Sequence, residues 1–278
     1  MTSSRRNKAA AHSTFRYGAH VRANGIRQHY LRFGGRGRPL VVVPGITSPA
    51  ITWGFVGERL GETFDAYVLD VRGRGLSEGG PHLKYTLDDY ARDLAEFAAA
   101  LRLEQYVVVG HSMGGRIAAR LGHRHPANIA RLVIVDPPVS GPGRRPYTRP
   151  LAFYMDAIRQ ARQGLLDIET LRGTYPGWSE ENLRLRAEWL HTCDDTAIAE
   201  TVRGFQEEEI HSDFAALRMP TLLVVAGKGG VIGDSDIAEI RDLVPGIAVT
   251  KVEHTGHMIP FDDLEAFLQS MKGFLSDG

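Results

Sequence analysis

Short apolar runs and periodic apolar faces alternate along most of this chain, and the change of period predicts its elements. Residues 38–43, 64–70, 107–109, 132–135, 221–226 and 247–252 are strand-length runs rich in Val, Ile and Leu. Runs such as Leu40-Val41-Val42-Val43 and Val107-Val108-Val109 have no polar alternation, as in strands buried on both faces. Between them the apolar period lengthens. Tyr90, Leu94, Phe97 and Leu101 recur at helical spacing after Thr86, and Leu264, Phe267, Leu268, Met271, Phe274 and Leu275 share one face of a last helix. Shorter helices are expected over 51–60 and 235–243. At the start, 17–23 and 26–33 read as two strands joined by Asn24-Gly25, a strong hairpin signal.

The alternation breaks from Val139 to about Phe214. No strand run occurs there, and helical segments are expected near 151–163, 167–173, 179–192 and 196–208. The pattern predicts an α/β architecture: a mostly parallel central sheet flanked by helices, with an inserted helical cap. The expected division is a disordered tail over 1–14, a core over 15–138 and 215–278, and a cap over 139–214. Right-handed crossovers place all strand-to-helix loops at one sheet edge. The loops at Ile46, Ser112, Asp136, Gly227 and His257 should therefore converge.

Composition narrows the partners. The 278 residues carry a formal net charge of +0, which gives no electrostatic case for nucleic acid or an anionic membrane. No run approaches the ~20 apolar residues of a membrane helix. The single cysteine, Cys193, excludes an intrachain disulfide framework and a cysteine zinc site. Arg5-Arg6 lacks the apolar stretch of an export signal, so a cytoplasmic protein is expected. No metal or cofactor is expected.

The chemistry gathers at Gly110-His111-Ser112-Met113-Gly114-Gly115. This G-x-S-x-G stands between the valine run and a helix beginning at Met113, the context that motif needs. The turn should push the Ser112 hydroxyl out of the sheet's carboxyl edge, with the Met113 amide facing the same point. A second oxyanion donor is expected from Ile46 or Thr47, in the glycine loop after the strand at 38–43. A serine hydroxyl needs a base, and the base needs an orienting acid. His257 and His254 are the candidate bases; Gly256-His257, on the loop before the final helix, is the better placed. The acid candidates rank Asp136, then Asp234, then Asp236. The chain order Ser112, Asp136, His257 is the serine–acid–histidine order of this motif's fold.

These motifs, with Asp70-Val71-Arg72-Gly73-Arg74-Gly75-Leu76-Ser77, resemble the α/β-hydrolase superfamily over the whole chain after about Phe15. Two positions depart from its common pattern: Pro44 stands where most members have histidine, and Gly230 stands where many carry the triad aspartate. Residues 43–54, Asp136-Pro137-Pro138, residues 187–193 and Gly229-Gly230-Val231-Ile232 are similar to deformylases of aerobic nicotinate degradation, which need no metal. That resemblance implies an acid after the strand at 132–135, hence Asp136. It also implies hydrolysis of an N-formyl amide that carries a carboxylate, through a formyl-serine. A small-molecule carboxylate is then the expected partner, and Arg144, Arg145, Arg149 and Lys228 lie loosely near the site mouth to receive it. Rival readings are a carboxylesterase or carbon–carbon bond hydrolase on the same triad, and a non-catalytic ligand-binding receptor of the same fold.

Overall fold

The computed structural model describes residues 12–276. Its centre is one eight-stranded sheet: β1 (Phe15–Ala23), β2 (Ile26–Phe33), β3 (Pro39–Val43), β4 (Asp65–Leu69), β5 (Tyr106–His111), β6 (Ile129–Val135), β7 (Thr221–Ala226) and β8 (Ala248–Val252). The order across the sheet is β1-β2-β4-β3-β5-β6-β7-β8. β1 and β2 form the hairpin, β2 runs antiparallel to β4, and every other pair is parallel. Asn24 (φ 48°) and Gly25 (φ 76°) are both left-handed, as a two-residue turn matched to strand twist requires.

The helices are α1 (Gly54–Leu60), α2 (Leu87–Ala100), α3 (Met113–Arg124), α4 (Leu151–Arg162), α5 (Ile168–Thr174), α6 (Glu180–Trp189), α7 (Asp195–Glu207), α8 (His211–Ala216), α9 (Asp234–Leu243), α10 (Ile259–Asp262) and α11 (Leu264–Ser276). Thr86 caps α2 in a reciprocal box with Asp89, which is why that helix starts where its apolar period does. Asp167, Ser179 and Asp194 cap α5, α6 and α7 with their side chains. The expected helix at 51–60 is split into a 3-10 turn, Ala50–Trp53, and α1. Two short helices, α8 and α10, lie where no helix was expected.

Arg120 of α3 pairs with Asp88 of α2 and Asp213 of α8, tying these helices together. Arg59 of α1 pairs with Glu265 of α11. The strands between are closed off from solvent: Leu40, Val41, Val42, Val108, Val109 and Leu132 to Val135 are fully buried. This double cover is the reason those runs show no alternation. Among the described residues, no helix is long and apolar enough to cross a membrane.

Between β6 and β7 the chain runs through α4 to α8. α4 packs on α6 and α7, and α6 packs on the 3-10 turn at Ala50–Trp53. α8 instead packs on α3 and α9. α8 thus lies in the helical layer beside the sheet. Of the expected tail, residues 1–11 lie outside the described residues. Ser13 and Thr14 are hydrogen-bonded to the Glu58 carboxylate at 2.5 and 2.7 Å.

The strand ends align at one edge. Val43 is level with Gly110, and His111 with Val135. The Ser112 amide donates to Val135 O (2.8 Å), and the Asp136 amide to Val224 O (2.8 Å). The loops after β3, β5, β6, β7 and β8 are therefore neighbours.

Candidate active site

Ser112 sits at the junction of β5 and α3 with φ 56° and ψ −116°, a region that L residues rarely occupy. Its flanking glycines are required by contact. A Cβ on Gly110 would fall 2.1 Å from Gly114 O, and one on Gly114 would fall 1.9 Å from Val43 O. Neither neighbour can yield, because both are backbone. α3 therefore enters directly against β5 and β3, and Ser112 is levered out of the sheet edge. Met113 opens α3, so its amide has no intrahelical acceptor. The loop after β3 passes close by: a Cβ on Gly45 would be 3.5 Å from Ser112 Cβ.

Behind that loop stand two buried guanidiniums. Arg74 Nε donates to Ile46 O at 2.9 Å. Arg186 donates to Thr47 O at 3.2 Å and Thr47 Oγ1 at 3.3 Å. Gly45 O accepts from Ser48 N at 3.2 Å. The carbonyls of this turn are thus engaged on its protein side.

His257 brings the other two groups into line. Its Nε2 is 3.0 Å from Ser112 Oγ, and its Nδ1 is 2.6 Å from Asp136 Oδ2. Asp136 is completely buried, directly after β6, with φ 42°. Its carboxylate also accepts from the backbone amides of Ala226 (3.3 Å) and Val231 (3.1 Å). These donors come from β7 and the loop after it, so the carboxylate of one strand end occupies the loop of the next. Gly230 explains itself here. A Cβ at that position would lie 2.8 Å from Asp136 Oδ1 and 3.0 Å from Oδ2.

The competing candidates are placed elsewhere. His254 is exposed and pairs with Asp263 at 2.8 Å. Asp234 is exposed in the first turn of α9, with Lys251 at 3.8 Å. Asp236 accepts from the Gly233 amide and pairs with Arg145, both at 2.7 Å.

His111 is a further member of the cluster that sequence reasoning passed over. It is buried, and its Nε2 is 2.8 Å from the backbone oxygen of His257. A carbonyl only accepts, so Nε2 carries the hydrogen and Nδ1 is bare. Burial, and then the neighbouring His257, push its pKa down to about 3. It is a neutral strut that fixes the backbone beneath His257. Its signal in the sequence was a ring placed inside an otherwise apolar strand end.

Ser112 and His257 open into a cavity of about 290 Å³, walled by the loop after β3 and, across from it, by residues of the helical segment. Tyr175 stacks on Trp178 (4.3 Å between ring centres) and Trp178 on Phe261 (4.2 Å), forming an aromatic column along that wall. Of the four cations expected near the mouth, Arg144 is paired with Glu239 and Arg145 with Asp236. Lys228 is exposed and does not line the cavity. Arg149 does line it, exposed, with its guanidinium 4.6 Å from the Phe153 ring centre. The buried cation on the wall is Arg186, on the inward face of α6 beside Leu183. A charged residue on the Leu183–Leu190 stripe was the available signal, and it was missed. Among the described residues, no cluster of His, Cys, Asp or Glu is arranged as metal ligands would be.

The family described as alpha/beta hydrolase fold matches residues 38–264. N-formylmaleamate deformylase of Pseudomonas putida is 56% identical over 263 residues, covering 95% of this chain and 98% of that protein. 2-(Acetamidomethylene)succinate hydrolase of Mesorhizobium japonicum is 25% identical, covering 87% and 89%. The crystal structure of N-formylmaleamic acid deformylase from Pseudomonas putida S16 superimposes with a TM-score of 0.87 at 51% identity. It covers 92% of this chain and 100% of that one. The sheet order, the serine elbow and the match over residues 38–264 agree: this chain belongs to the α/β-hydrolase fold family.

Proposed function

We propose that this protein is a serine hydrolase that cleaves N-formylmaleamate to maleamate and formate, as a cytoplasmic step of nicotinate catabolism. The observation that carries the substrate is the 56% identity, over nearly the full length of both chains, to a protein named for that reaction. The chemistry follows from the site. Ser112 Oγ attacks the formyl carbon while His257 Nε2, 3.0 Å away, takes its proton. Asp136 holds the Nδ1–H tautomer and stabilises the imidazolium that forms. The amides of Met113 and Ile46 receive the oxyanion.

Collapse breaks the carbon–nitrogen bond, and His257 returns its proton to the leaving nitrogen. That nitrogen also bears the maleamoyl carbonyl, which spreads its charge and makes it a better leaving group than a simple amide. Maleamate departs, and Ser112 keeps the formyl group. Water, deprotonated by His257, then attacks the ester and releases formate. α4 to α7 act as the cap that encloses the small acid, and the substrate's carboxylate calls for a cation on the wall.

The test is formate release by the purified protein, with Ser112→Ala as control and an ester panel alongside. Many turnovers that vanish in the variant are expected. High turnover of esters with no formate from the formamide would replace this reading with a carboxylesterase. Formate in a single stoichiometric burst would favour a receptor.

A further inference from the structure

Three buried arginines have no carboxylate partner among the described residues: Arg74, Arg116 and Arg186. Two are consumed by the fold. Arg74 donates from all three nitrogens, to Ile46 O, Arg72 O, Tyr90 OH and Thr201 Oγ1, at 2.7–2.9 Å. Arg116 is turned into a nest of backbone carbonyls from Pro138, Ser140, Gly204 and Glu208. Arg186 differs. Among the described residues its buried Nε has no acceptor and its only bonds are the two long ones to Thr47, and its side chain lines the cavity that holds Ser112 and His257. A buried guanidinium short of acceptors is costly unless an anion completes it.

We propose that Arg186 is the residue that takes the substrate's carboxylate, and that through Thr47 the same guanidinium couples this contact to the oxyanion loop. The proposal rests on the reading of the substrate as a carboxylate-bearing formamide. The guanidinium is pre-positioned: its centre lies 5.3 Å from the Tyr175 ring and 6.0 Å from the Trp178 ring. Aromatic faces hold it flat and leave its N–H edge for a planar anion. Among the described residues Asp262 is the only carboxylate on the cavity wall, and it accepts from the Gly256 amide at 2.8 Å. The wall therefore carries more positive than negative charge. Arg149, exposed at the mouth, attracts the acid, whereas Arg186 fixes its position. Thr47 adjoins Ile46, so a carboxylate that orders Arg186 also steadies the loop that receives the oxyanion. Part of its effect should then appear in kcat and part in KM.

The experiment measures formate release from N-formylmaleamate and from the analogue whose carboxylate is a carboxamide. The enzymes are wild type, Arg186→Gln, Arg186→Lys and Arg149→Gln. Wild type should prefer the acid by about 10- to 100-fold in kcat/KM. Arg186→Gln should erase that preference, Arg186→Lys should keep part of it, and Arg149→Gln should keep most of it. A merely structural role would lower both substrates equally and leave the ratio intact. A ratio that survives in folded Arg186→Gln, or that disappears in Arg149→Gln, overturns the proposal. If Arg186→Gln does not fold, Arg186→Lys decides, and an unchanged ratio there overturns it.

A second arm needs no turnover. Calorimetry follows maleamate binding to Ser112→Ala and to Ser112→Ala/Arg186→Gln. Absence of formate from wild type removes the deformylase reading. Arg186 is then judged on this arm alone, where tighter binding by the arginine-bearing protein supports it and equal or absent binding overturns it.

Discussion

The two walls of the cavity are specified in different ways. On one side the β5–Ser112–α3 elbow is fixed by backbone against backbone. Gly110 and Gly114 admit contacts that no Cβ would tolerate, and parallel pairing to β3 and β6 holds Ser112 at φ 56°. On the other side the wall is made by side chains: Tyr175 on Trp178 on Phe261, with Arg186 lying against the first two. The first wall has a single geometry that a few consecutive residues dictate. The second depends on how α6 and the loop before it settle on the 3-10 turn at Ala50–Trp53. On the proposed reading the elbow carries the reaction and the helical segment the choice of substrate, with Arg186 and Thr47 as the link between them, so mutations away from that link should fail separately.

Ser112→Ala gives the largest expected loss on the elbow side. Formate release should fall by about five to six orders of magnitude with the circular dichroism spectrum unchanged. Appreciable turnover in that variant would break the division at its root. Asp136→Ala comes next, at about three to four orders of magnitude in kcat, since His257 would lose the partner that sets its tautomer. Asp234→Ala should stay within about twofold of wild type, because Asp234 is exposed beside Lys251. The reverse ranking would move the acid to the loop after β7. Gly230→Ala sharpens the comparison further. Its new methyl would meet the Asp136 carboxylate at 2.8 Å and displace it, lowering kcat by about 10- to 100-fold with KM little changed. A rise in KM alone would show that this loop serves binding instead.

The same contrast decides what could be read in the sequence. Strand and helix periods, the Asn24-Gly25 hairpin and the Ser112 elbow are local patterns with one low-energy outcome, and they stood out. Asp136 and His257 were legible because strand-end loops of a parallel sheet must share an edge. Gly230 read as a missing aspartate, yet it is glycine because the carboxylate from the neighbouring strand occupies that space. Where side-chain partners decide, the reading gave way. Arg144 and Arg145, placed by proximity in sequence, are held by Glu239 and Asp236 of α9. Arg186 sits on an inward stripe whose partners, Thr47 and Tyr175, come from other elements. The short helices α8 and α10 span six and four residues, too few for an apolar period to register.

A modest effect near neutral pH concerns His111, which belongs to the elbow wall but acts through a side chain. Its ring is neutral in the fold with its pKa pushed down to about 3, against an ordinary value of about 6.5 in the unfolded chain. Between those values the unfolded state binds a proton that the folded state does not, so stability falls as pH is lowered from 6.5. The cost of this one group is about 1.4 kcal/mol for each pH unit in that window, and it vanishes above pH 6.5. His111→Gln keeps an amide N–H within reach of His257 O and removes the titration. Melting temperature against pH should therefore fall less steeply from 6.5 toward 4 in the variant, while formate release at pH 8 stays within about tenfold of wild type. Parallel curves for the two proteins would mean that His111 is already protonated in the fold. Its Nδ1–H would then require an acceptor beside Gly45, and the neutral strut beneath His257 would have to be replaced by a cation within the elbow itself.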